Sequence, residues 1–354
     1  MTLSIILGTR PEIIKMSPVI RECQRIGLDH FILHTGQHYS YNMDRVFFDE
    51  LKLPYTKYNL EVGSGAQGEQ TAKMMMGIEK VLMKEKPEAV LVQGDTNTVL
   101  AGVLAAVKLG IKTGHVEAGL RSYDRRMPEE INRVLADHCS DQLFAPTEKC
   151  KKTLLGEGII EDRIHVTGNT IVDAVYQNRK LAKERNTLEE LEITPGEYFL
   201  VTVHRQENVD DRVRFSKLLK GVEEVGKEFN IPVIYPIHPR SKKMMQELGI
   251  KTDGNIKFID PVMFLDFLNL ENGARLVLTD SGGVQEETCI LGVPCVTLRD
   301  NTERPETLDA GSNLLSGIEP GKIIECAHRM LDGNKGWVNP FGDGKAAERI
   351  VKLI

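Results

Sequence analysis

The chain has 354 residues, of which 41% are hydrophobic and 27% charged, and its formal net charge is −6 at pH 7. This length predicts two or three domains, and the composition is ordinary for a globular protein. The negative net charge argues against non-specific nucleic-acid binding, and no apolar run approaches the roughly 18 residues that a membrane-spanning helix needs.

The N-terminal sequence MTLSIILGTRPEIIK has a short apolar run with no basic residues before it. It therefore predicts a β-strand and not a signal peptide. The six cysteines are scattered without a CxxC pair, which indicates reduced, mostly buried thiols. Neither a P-loop, an HExxH motif nor a Cys/His cluster is present, so no metal site is indicated. Together these features predict a cytoplasmic protein.

Short β-rich runs alternate with amphipathic helical patterns from the first residue onward. The first series of predicted strands is Leu3–Leu7, Phe31–Thr35, Ala89–Gln93, Thr113–Val116, Gln142–Ala145 and Ile164–Thr167. The second series is Tyr198–Val203, Val233–Pro236, Ile256–Ile259, Leu276–Thr279 and Cys295–Leu298. Helices predicted between them include Pro11–Arg25, Gln70–Lys84, Asn97–Lys108 and Val213–Glu228. This alternation is typical of parallel sheets that helices cover on both faces.

A polar, charge-rich stretch at residues 180–192 separates the two series and leads to the turn signal Thr194-Pro195-Gly196. We therefore predict the α/β class, with two doubly wound, Rossmann-like domains at residues 1–172 and 173–342. A final helix is expected at about residues 343–354, and in proteins of this build it can pack back on the first domain. Ligands of such sheets bind outside the carboxyl ends of the strands, so the expected site is the cleft between the domains.

Polar residues follow many of the predicted strands, at the edge where functional loops occur. They are Gly8-Thr9-Arg10, Gly36-Gln37-His38, Gly94-Asp95, Glu117, Gly168-Asn169, His204-Arg205, His238 and Asp280-Ser281. An arginine at a helix start gains nothing from the helix dipole, so we interpret Arg10, together with Lys15, as a phosphate or diphosphate ligand rather than a surface residue.

Three carboxylates of the first domain are candidates for acid/base work. Asp95 by itself more often caps the following helix, and an acid such as Glu129 is favoured in any first helical turn. Glu117 is harder to explain as structure because it ends a buried strand between small residues. Three carboxylates near one edge would suit general acid/base chemistry on a sugar carbon.

In the second domain, residues 276–304 read as a strand, a small-residue turn and a helix start. Ser281, Gly282 and Gly283 would form an anion site there, because free N–H groups and the helix dipole favour a phosphate. Glu286 and Glu287 follow one turn later, where a carboxylate could accept hydrogen bonds from sugar hydroxyls. An ordinary βα turn with an acidic helix start is the alternative.

His204 and the glycine-rich residues 63–68 each allow two interpretations. His204 could be a polar loop residue, or an imidazolium that offsets leaving-group charge beside a phosphate. Residues 63–68, GSGAQG, formally match GxGxxG, but they lie outside the first βα unit and follow a poor strand. A flexible loop is the better prediction for that segment.

Taken together, these motifs resemble those of the non-hydrolysing UDP-N-acetylglucosamine 2-epimerases over essentially the full length. The shared elements are GTRPEIIKMSPVI (8–20), TGQH (35–38), QGDTNTVLAG (93–102), GHVEAGLRS (114–122), PEEINR (128–133), APTE (145–148), VTGNTIVDA (166–174), DSGGVQEE (280–287) and RDNTERPET (299–307). The resemblance implies a GT-B-like fold, a homodimer, and activity on UDP-GlcNAc and UDP-ManNAc without a metal or redox cofactor.

The resemblance also implies residue roles. The catalytic residues would be Asp95, Glu117, Glu129 and His204. Diphosphate and neighbouring groups would be held by Arg10, His204, Ser281, Gly282, Gly283 and Arg304, with Lys15 on the first-domain side. Glu287 would bind ribose hydroxyls and Phe267 the uracil. In the implied reaction, UDP leaves C1 as C2 loses its proton, and the resulting 2-acetamidoglucal takes UDP back with a proton on the other face.

The chain departs from many bacterial members at a second, allosteric UDP-GlcNAc site. Gln37, His38 and His238 match that site, but Ser40 and Glu69 replace its Gln and Arg. The loss of the Arg leaves allosteric activation unsupported. Val262 stands where bacterial enzymes often have Gln near the uracil.

Other functions stay open at this point. One is a 2-epimerase of a modified UDP-sugar such as a 2,3-diacetamido uronate, whose members tend to have GARPQF where this chain has GTRPEI at residues 8–13. A GT-B glycosyltransferase would share the UDP site but need an acceptor. Hydrolysing epimerases usually carry a fused kinase domain, for which this chain has no room. A nucleotide-sugar sensor would be expected to have lost the three carboxylates, which are all present.

Overall fold

A computed structural model describes residues 1–37, 41–252, 254–333 and 336–354, without the side chains of residues 41–44. The described chain forms two compact units. Unit 1 consists of Met1–Gln177 and Phe341–Ile354, and unit 2 of Asn178–Pro340. The division therefore falls inside a helix, a few residues beyond the boundary expected at residue 172.

Unit 1 contains a seven-stranded parallel sheet in the order β3-β2-β1-β4-β5-β6-β7. Its strands are β1 (Leu3–Leu7), β2 (His30–His34), β3 (Tyr58–Asn59), β4 (Ala89–Gln93), β5 (Lys112–Val116), β6 (Gln142–Ala145) and β7 (Ile164–Val166). Its helices are α1 (Arg10–Ile26), α2 (Tyr41–Glu50), α3 (Gln67–Glu85), α4 (Asn97–Lys108), α5 (Pro128–Cys139), α6 (Glu148–Gly156) and the first half of α7 (Thr170–Lys183). This strand order is that of a doubly wound Rossmann-like sheet.

Unit 2 contains a six-stranded parallel sheet in the order β10-β9-β8-β11-β12-β13. Its strands are β8 (Phe199–Thr202), β9 (Val233–Pro236), β10 (Ile256–Ile259), β11 (Leu276–Thr279), β12 (Cys295–Thr297) and β13 (Asn313–Leu315). Its helices are α8 (Thr187–Glu190), α9 (Gln206–Val209), α10 (Arg212–Phe229), α11 (Pro239–Glu247), α12 (Phe264–Gly273), α13 (Gly282–Leu291), α14 (Pro305–Asp309) and α15 (Pro320–Asp332).

The last helix of the chain, α16 (Ala346–Leu353), belongs to unit 1. It packs against α1. Its first N–H groups, those of Ala346 and Ala347, donate to the buried carboxylate of Asp173 at 3.2 and 3.0 Å. Asp173 is thus a capping acid supplied by a distant helix, which ties the C-terminal residues to unit 1.

The central strands of both sheets are near-continuously apolar because helices cover both faces. All five residues of β4 are buried, and the core of unit 2 is built around the fully buried rings of Phe199, Phe215 and Tyr235. In a buried parallel strand every side chain leaves water, which explains why the pattern is continuous rather than alternating.

The predicted α/β class is confirmed, and every predicted strand is present with ends shifted by no more than one residue. The sequence missed β3 and β13, which have only two and three residues. The polar stretch at residues 180–192 is not a bare linker, since α7 continues to Lys183 and α8 follows. In the described ranges no helix is long and apolar enough to cross a membrane. All six cysteines are described, and none forms a disulfide.

Candidate functional site

The carboxyl ends of β1, β4 and β5 lie side by side in unit 1, because these strands are neighbours in a parallel sheet. The chain segments that follow them carry Arg10, Asp95 and Glu117 to the same edge. The approach is close at Gly8, where an added Cβ would lie 2.0 Å from the Thr98 hydroxyl oxygen on α4. Only glycine allows the end of β1 to pack so tightly against this edge.

Glu117 follows β5 with a left-handed backbone, φ 71°, which is a strained conformation for a residue with a side chain. Its side chain is 4% exposed. Lys15 Nζ of α1 donates to Glu117 Oε2 at 2.6 Å, and the Gln93 side-chain amide at the end of β4 donates to the same oxygen. A carboxylate that accepts from an ammonium and an amide is held in its ionised form with a defined orientation.

Behind this acid, His115 and Asp137 form a buried pair. His115 Nδ1 lies 2.7 Å from Asp137 Oδ1, and Nε2 lies 2.7 Å from the carbonyl oxygen of Gly94. Both partners are acceptors, so both ring nitrogens must carry protons and the ring is an imidazolium. Asp137 also accepts from the Gly119 N–H at 3.1 Å and contacts Arg121 Nη1 at 2.7 Å. The pair therefore joins β4, β5, α5 and the loop that carries Glu117.

The pKa values agree with this assignment. Burial alone would lower the pKa of His115, but the charge and hydrogen bond of Asp137 outweigh it and the net pKa is raised. Burial would raise the pKa of Asp137, yet His115 and Arg121 together hold it below its usual range. An ion pair in this position is stable only because every charged group in it is hydrogen-bonded.

Asp95 is not the helix cap that its position suggested. The N-cap of α4 is Thr96, whose hydroxyl oxygen accepts from the Val99 N–H. Asp95 instead accepts from Arg133 of α5, at 3.0 Å from Nε and 2.6 Å from Nη2. Its side chain stays 30% exposed. Asp95 is thus a partly exposed carboxylate, oriented by Arg133, at the carboxyl-end edge of the unit 1 sheet.

Glu129 lies exposed in the first turn of α5, one helical turn before Arg133. Arg133 Nη1 also bonds the buried Glu130 at 2.8 Å, and Glu130 in turn accepts from the N–H groups of Ser122 and Tyr123. Asp95 and Glu129 are therefore positioned by the same helix. Glu117 is positioned separately, by α1 and β4.

Arg10 begins α1, and its guanidinium carbon lies 4.9 Å from the centre of the Phe47 ring. The buried Glu12 organises this helix start, since it accepts from the N–H groups of Gly8 at 2.5 Å and Thr9 at 2.8 Å and from the Thr96 hydroxyl at 2.5 Å. Burial raises the pKa of Glu12 to about 7, although these three hydrogen bonds oppose the shift. Glu12 was not singled out from the sequence.

In unit 2, β8 and β11 are neighbours, and Asp280 after β11 is a common acceptor for the loop after β8. It accepts from the N–H groups of His204 at 3.1 Å and Arg205 at 3.0 Å, and from the Asn208 amide at 3.1 Å. His204 Nδ1 lies 3.3 Å from Asp280 Oδ1, while the ring is 44% exposed. Asp280 is fully buried and orients His204 towards the surface.

The start of α13 carries the three small residues that the sequence indicated. Ser281 is the N-cap, and Gly282 and Gly283 are the first helical residues. A Cβ added at Gly282 would have its nearest contact at 3.8 Å, and one at Gly283 at 3.9 Å. Packing within unit 2 does not require glycine here, so the glycines leave the helix N–H groups accessible to an anion.

Three arginines surround this helix start. Arg304 Nε lies 2.6 Å from Glu286, which is buried on α13 and so does not face a ligand as a free carboxylate. Arg299 forms two bonds of 2.9 Å with Glu303, and Arg205 lies 3.6 Å from the same carboxylate. Burial alone would raise the pKa of Glu303, but the arginines hold it well below its usual range.

The remaining nucleotide-contact candidates lie on α12 and α13. Phe267 is partly buried against the apolar cluster that contains Tyr198 and Leu200, and Val262 packs on the same cluster. Glu287 is 9% exposed on α13. The structure thus brings His204, Ser281, Gly282, Gly283 and Arg304 to the strand ends of unit 2, with Phe267 and Glu287 on the adjoining helices.

The residues compared with the bacterial allosteric site have other partners here. Gln37 is buried and accepts from the N–H and hydroxyl of Thr98. His238 is the N-cap of α11, and Glu69 pairs with Lys73 on the surface at 2.6 Å. His38 and Ser40 lie outside the described residues. In the segment 63–68, residues 63–66 are irregular as the loop prediction expected, whereas Gln67 and Gly68 already belong to α3.

Sequence reasoning did not name Gln93, Arg133, the His115–Asp137 pair or the anchoring role of Asp280. Gln93 carried a signal, because it is the polar last residue of the otherwise apolar strand AVLVQ. The others carried none, since their importance depends on partners from distant parts of the chain. No group of three or more His, Cys, Asp or Glu within the described ranges is placed to hold a metal ion.

The structure contains two doubly wound parallel sheets. Acidic residues follow the strands of unit 1, and in unit 2 a helix that begins with two glycines follows a strand. These features are those of the GT-B-like class of α/β proteins. The family model described as UDP-N-acetylglucosamine 2-epimerase matches residues 21–354. The chain belongs to this family.

Individual relatives support the same family assignment. A UDP-N-acetylglucosamine 2-epimerase of Methanocaldococcus jannaschii is 56% identical, over 100% of this chain and 99% of that protein. A crystal structure of the M. jannaschii UDP-GlcNAc 2-epimerase in complex with UDP-GlcNAc and UDP has a TM-score of 0.93 at 57% identity, with 100% and 99% of the chains covered. A UDP-2,3-diacetamido-2,3-dideoxy-D-glucuronate 2-epimerase of Pseudomonas aeruginosa is 40% identical, over 100% of this chain and 99% of that protein.

Proposed function

We propose that this protein interconverts UDP-GlcNAc and UDP-ManNAc by epimerisation at C2. Family membership and the 56% identical relative that carries this activity in its name support the reaction. The observation that carries it in this chain is Glu117, a buried acid in a strained backbone conformation that Lys15 and Gln93 orient at the end of β5. Structural need alone does not explain such an acid.

In the proposed reaction, the C2–H bond breaks as the C1–O bond to UDP breaks, and a C1=C2 double bond forms. Return of UDP to C1 and of a proton to the opposite face of C2 gives the epimer. The sequence of steps is redox-neutral, so it requires no redox cofactor. Two faces of C2 need at least two acid/base groups, and Asp95, Glu117 and Glu129 are the candidates. Asp95 and Glu129 share their support from α5, which favours a common role distinct from that of Glu117.

Unit 2 is proposed to hold the UDP moiety. The N-terminus of α13, left accessible by Ser281, Gly282 and Gly283, favours the diphosphate through its N–H groups and dipole. Arg304, held by Glu286, and His204, oriented by Asp280, would add positive charge when the C1–O bond breaks. Glu287 is proposed to bind the ribose hydroxyls and Phe267 the uracil, while Arg10 and Lys15 supply the positive charge of unit 1.

The test is an isotope exchange experiment. The protein is incubated with UDP-GlcNAc in D2O, and the C2 proton is followed by NMR. Deuterium at C2 together with the appearance of UDP-ManNAc is the expected result. Absence of exchange, or sugar transfer only after an acceptor is added, would contradict the proposal and favour a glycosyltransferase.

A second candidate substrate is favoured by the P. aeruginosa relative, which is named for a 2,3-diacetamido uronate. The two substrates differ at C3 and C6, whereas the chemistry at C2 is the same. Parallel exchange experiments with UDP-GlcNAc and with the diacetamido uronate therefore separate them. We expect kcat/KM to favour UDP-GlcNAc, in keeping with the greater identity to the M. jannaschii enzyme.

We also propose that the protein is a homodimer. Two helices of unit 1 support this with exposed apolar side chains at helical spacing, Met76 and Met83 on α3 and Ile131 and Leu135 on α5. Light scattering of the purified protein should give twice the chain mass of 39.7 kDa. The charged double variant Met76→Lys and Met83→Lys should give the monomer mass if α3 contributes to the interface.

A cytoplasmic location remains part of the proposal. Its support is that none of the six cysteines forms a disulfide and that five of them are buried, as is usual for proteins of reducing compartments. Fractionation of cells that express the full chain, with detection by antibody, tests it directly.

A further inference from the structure

A second pair of carboxyl groups lies inside unit 2, apart from the acids that end the strands. Glu271 on α12 is fully buried, and Glu287 on α13 is 9% exposed. The two helices pack against each other, and the two carboxyl groups are within hydrogen-bonding reach. Nothing in the proposed reaction uses Glu271.

Glu271 has an environment that does not suit a charge. Neither of its carboxyl oxygens meets an N–H or O–H donor among the described residues. In the part of the chain that the structure describes, the titratable groups that act on it are Glu287 from α13, Tyr198 beside β8 and Cys295 of β12, and none of these is a cation. The Tyr198 hydroxyl is engaged elsewhere, since it donates to the carbonyl oxygen of Leu270.

Two adjacent carboxyl groups inside a protein cannot both be ionised, because desolvation and mutual repulsion act together. The proton therefore resides on the member that has no other donor and no access to water, which is Glu271. Burial raises its pKa well above the ordinary value, and the charge and hydrogen bond of Glu287 raise it further. The resulting O–H of Glu271 can donate to the carboxylate of Glu287.

We propose that Glu271 is a positioning residue that stays protonated and donates a hydrogen bond to Glu287, so that the Glu287 carboxylate is held ready for the ribose hydroxyls of the nucleotide. This inference rests on the proposed function, in which Glu287 binds the ribose. A carboxylate can accept several hydrogen bonds at once, so a bond from Glu271 is compatible with hydroxyl groups that donate to the same carboxylate. The neutral donor fixes the glutamate rotamer without bringing a further negative charge near the diphosphate.

The experiment compares UDP with 2′-deoxy-UDP by calorimetric titration. A charge-assisted hydrogen bond is worth roughly a 10-fold change in affinity or more, so the wild-type protein should bind UDP at least about 10-fold more tightly than 2′-deoxy-UDP. Glu287→Gln should lose most of this preference. In Glu271→Gln, the side-chain amide still donates to Glu287, and the preference should persist.

Glu271→Met keeps the length of the side chain and removes the donor. We expect the ratio of the two dissociation constants to fall to within about 3-fold of unity, while the affinity for 2′-deoxy-UDP changes little. If Glu271→Met binds both nucleotides more weakly by the same factor, the ratio of the two dissociation constants is preserved. That result would show that Glu271 contributes only packing and would overturn the inference. A wild-type protein that does not distinguish the two nucleotides would overturn it as well.

A pH series keeps the inference testable if Glu271→Met fails to fold. As the pH is raised, the ratio should fall in the wild-type protein once Glu271 loses its proton, and stay constant in Glu271→Gln. Diphosphate and uracil titrations cancel in the ratio because both nucleotides share them. Coincident profiles for the two proteins would contradict the inference. Failure of the proposed function is seen separately, as absence of C2 exchange by the wild-type protein.

Discussion

Two buried acids follow parallel strands in this protein, Glu117 after β5 of unit 1 and Asp280 after β11 of unit 2, and they are held in different ways. Glu117 has a left-handed backbone and accepts from the side chains of Lys15 and Gln93. Asp280 lacks that backbone strain and accepts chiefly from main-chain N–H groups, those of His204 and Arg205.

This difference distinguishes the acid that we propose to be catalytic from an acid that supports a loop. Main-chain donors and the Asn208 amide occupy the acceptor positions of Asp280, so this carboxylate is committed to orienting the loop that carries His204. Glu117 accepts from the side chains of Lys15 and Gln93 at Oε2, and its strained backbone is the type of feature that clusters at active sites. Both acids are thus buried at a strand end, but Glu117 accepts hydrogen bonds from side chains whereas Asp280 accepts them mainly from the main chain.

The largest expected effect comes from Glu117→Gln, which keeps the shape and removes the acid. We expect the rate of C2 exchange to fall by about 10³-fold or more, because general acid/base catalysis contributes that much, while UDP binds within about 3-fold of wild type. Exchange NMR and calorimetric titration measure the two quantities. Glu79→Gln, an exposed acid on α3, is the matched control and should leave both unchanged. Retained turnover in Glu117→Gln would remove Glu117 from the mechanism.

Glu12 is intermediate between Glu117 and Asp280, because it accepts hydrogen bonds from both main-chain and side-chain donors. Its pKa rises from 4.5 to about 7 on folding, so it favours the folded state below pH 4.5, and this contribution is lost as the pH rises through 7. Compared with wild type, Glu12→Gln should therefore gain about 2.5 kcal/mol in free energy of unfolding between pH 5 and pH 8. Urea unfolding followed by circular dichroism measures it, and a constant difference would show that Glu12 does not titrate in this range.

Asp280→Asn replaces an acceptor with a side chain that also carries N–H donors. The N–H groups around it then lose a charged acceptor, which should lower the free energy of unfolding of unit 2 by about 2 kcal/mol. Trp337, the single tryptophan, lies in unit 2 and donates to the Cys289 carbonyl, so its fluorescence reports on this unit during urea unfolding. The control Asp300→Asn removes an exposed partner of Arg214 and should cost less than about 1 kcal/mol. Equal costs would mean that Asp280 is not a structural anchor.

The smallest effect tests the backbone strain itself. Glu117→Gly and Glu117→Ala both remove the carboxylate, so the difference between them isolates the cost of the left-handed conformation. The glycine variant should be more stable by about 1 kcal/mol. At Asp280, where φ is not positive, the alanine variant should be the more stable of the pair. Thermal unfolding of the four variants measures the two differences, and the same sign at both positions would argue against strain at Glu117.

The sequence predicted the sheets well and the site in part. β4 and β11 were predictable because a buried parallel strand is a continuous apolar run that ends at a polar residue. The two short strands β3 and β13 were missed because two or three residues form no pattern. Asp95 was expected to cap α4 if it had no catalytic role, and only the structure shows Thr96 in that place and Arg133 beside Asp95.

By itself, the sequence determined the α/β class, the residues at the strand ends and the family, since these depend on local patterns and ordered motifs. The tertiary structure decided which acids have side-chain donors, which accept mainly from main-chain N–H groups, and which lie buried without a donor. Those properties depend on partners far away in the chain, such as Lys15 for Glu117, 102 residues apart. Hydrogen bonding and desolvation act through space, and for that reason no run of neighbouring residues encodes them.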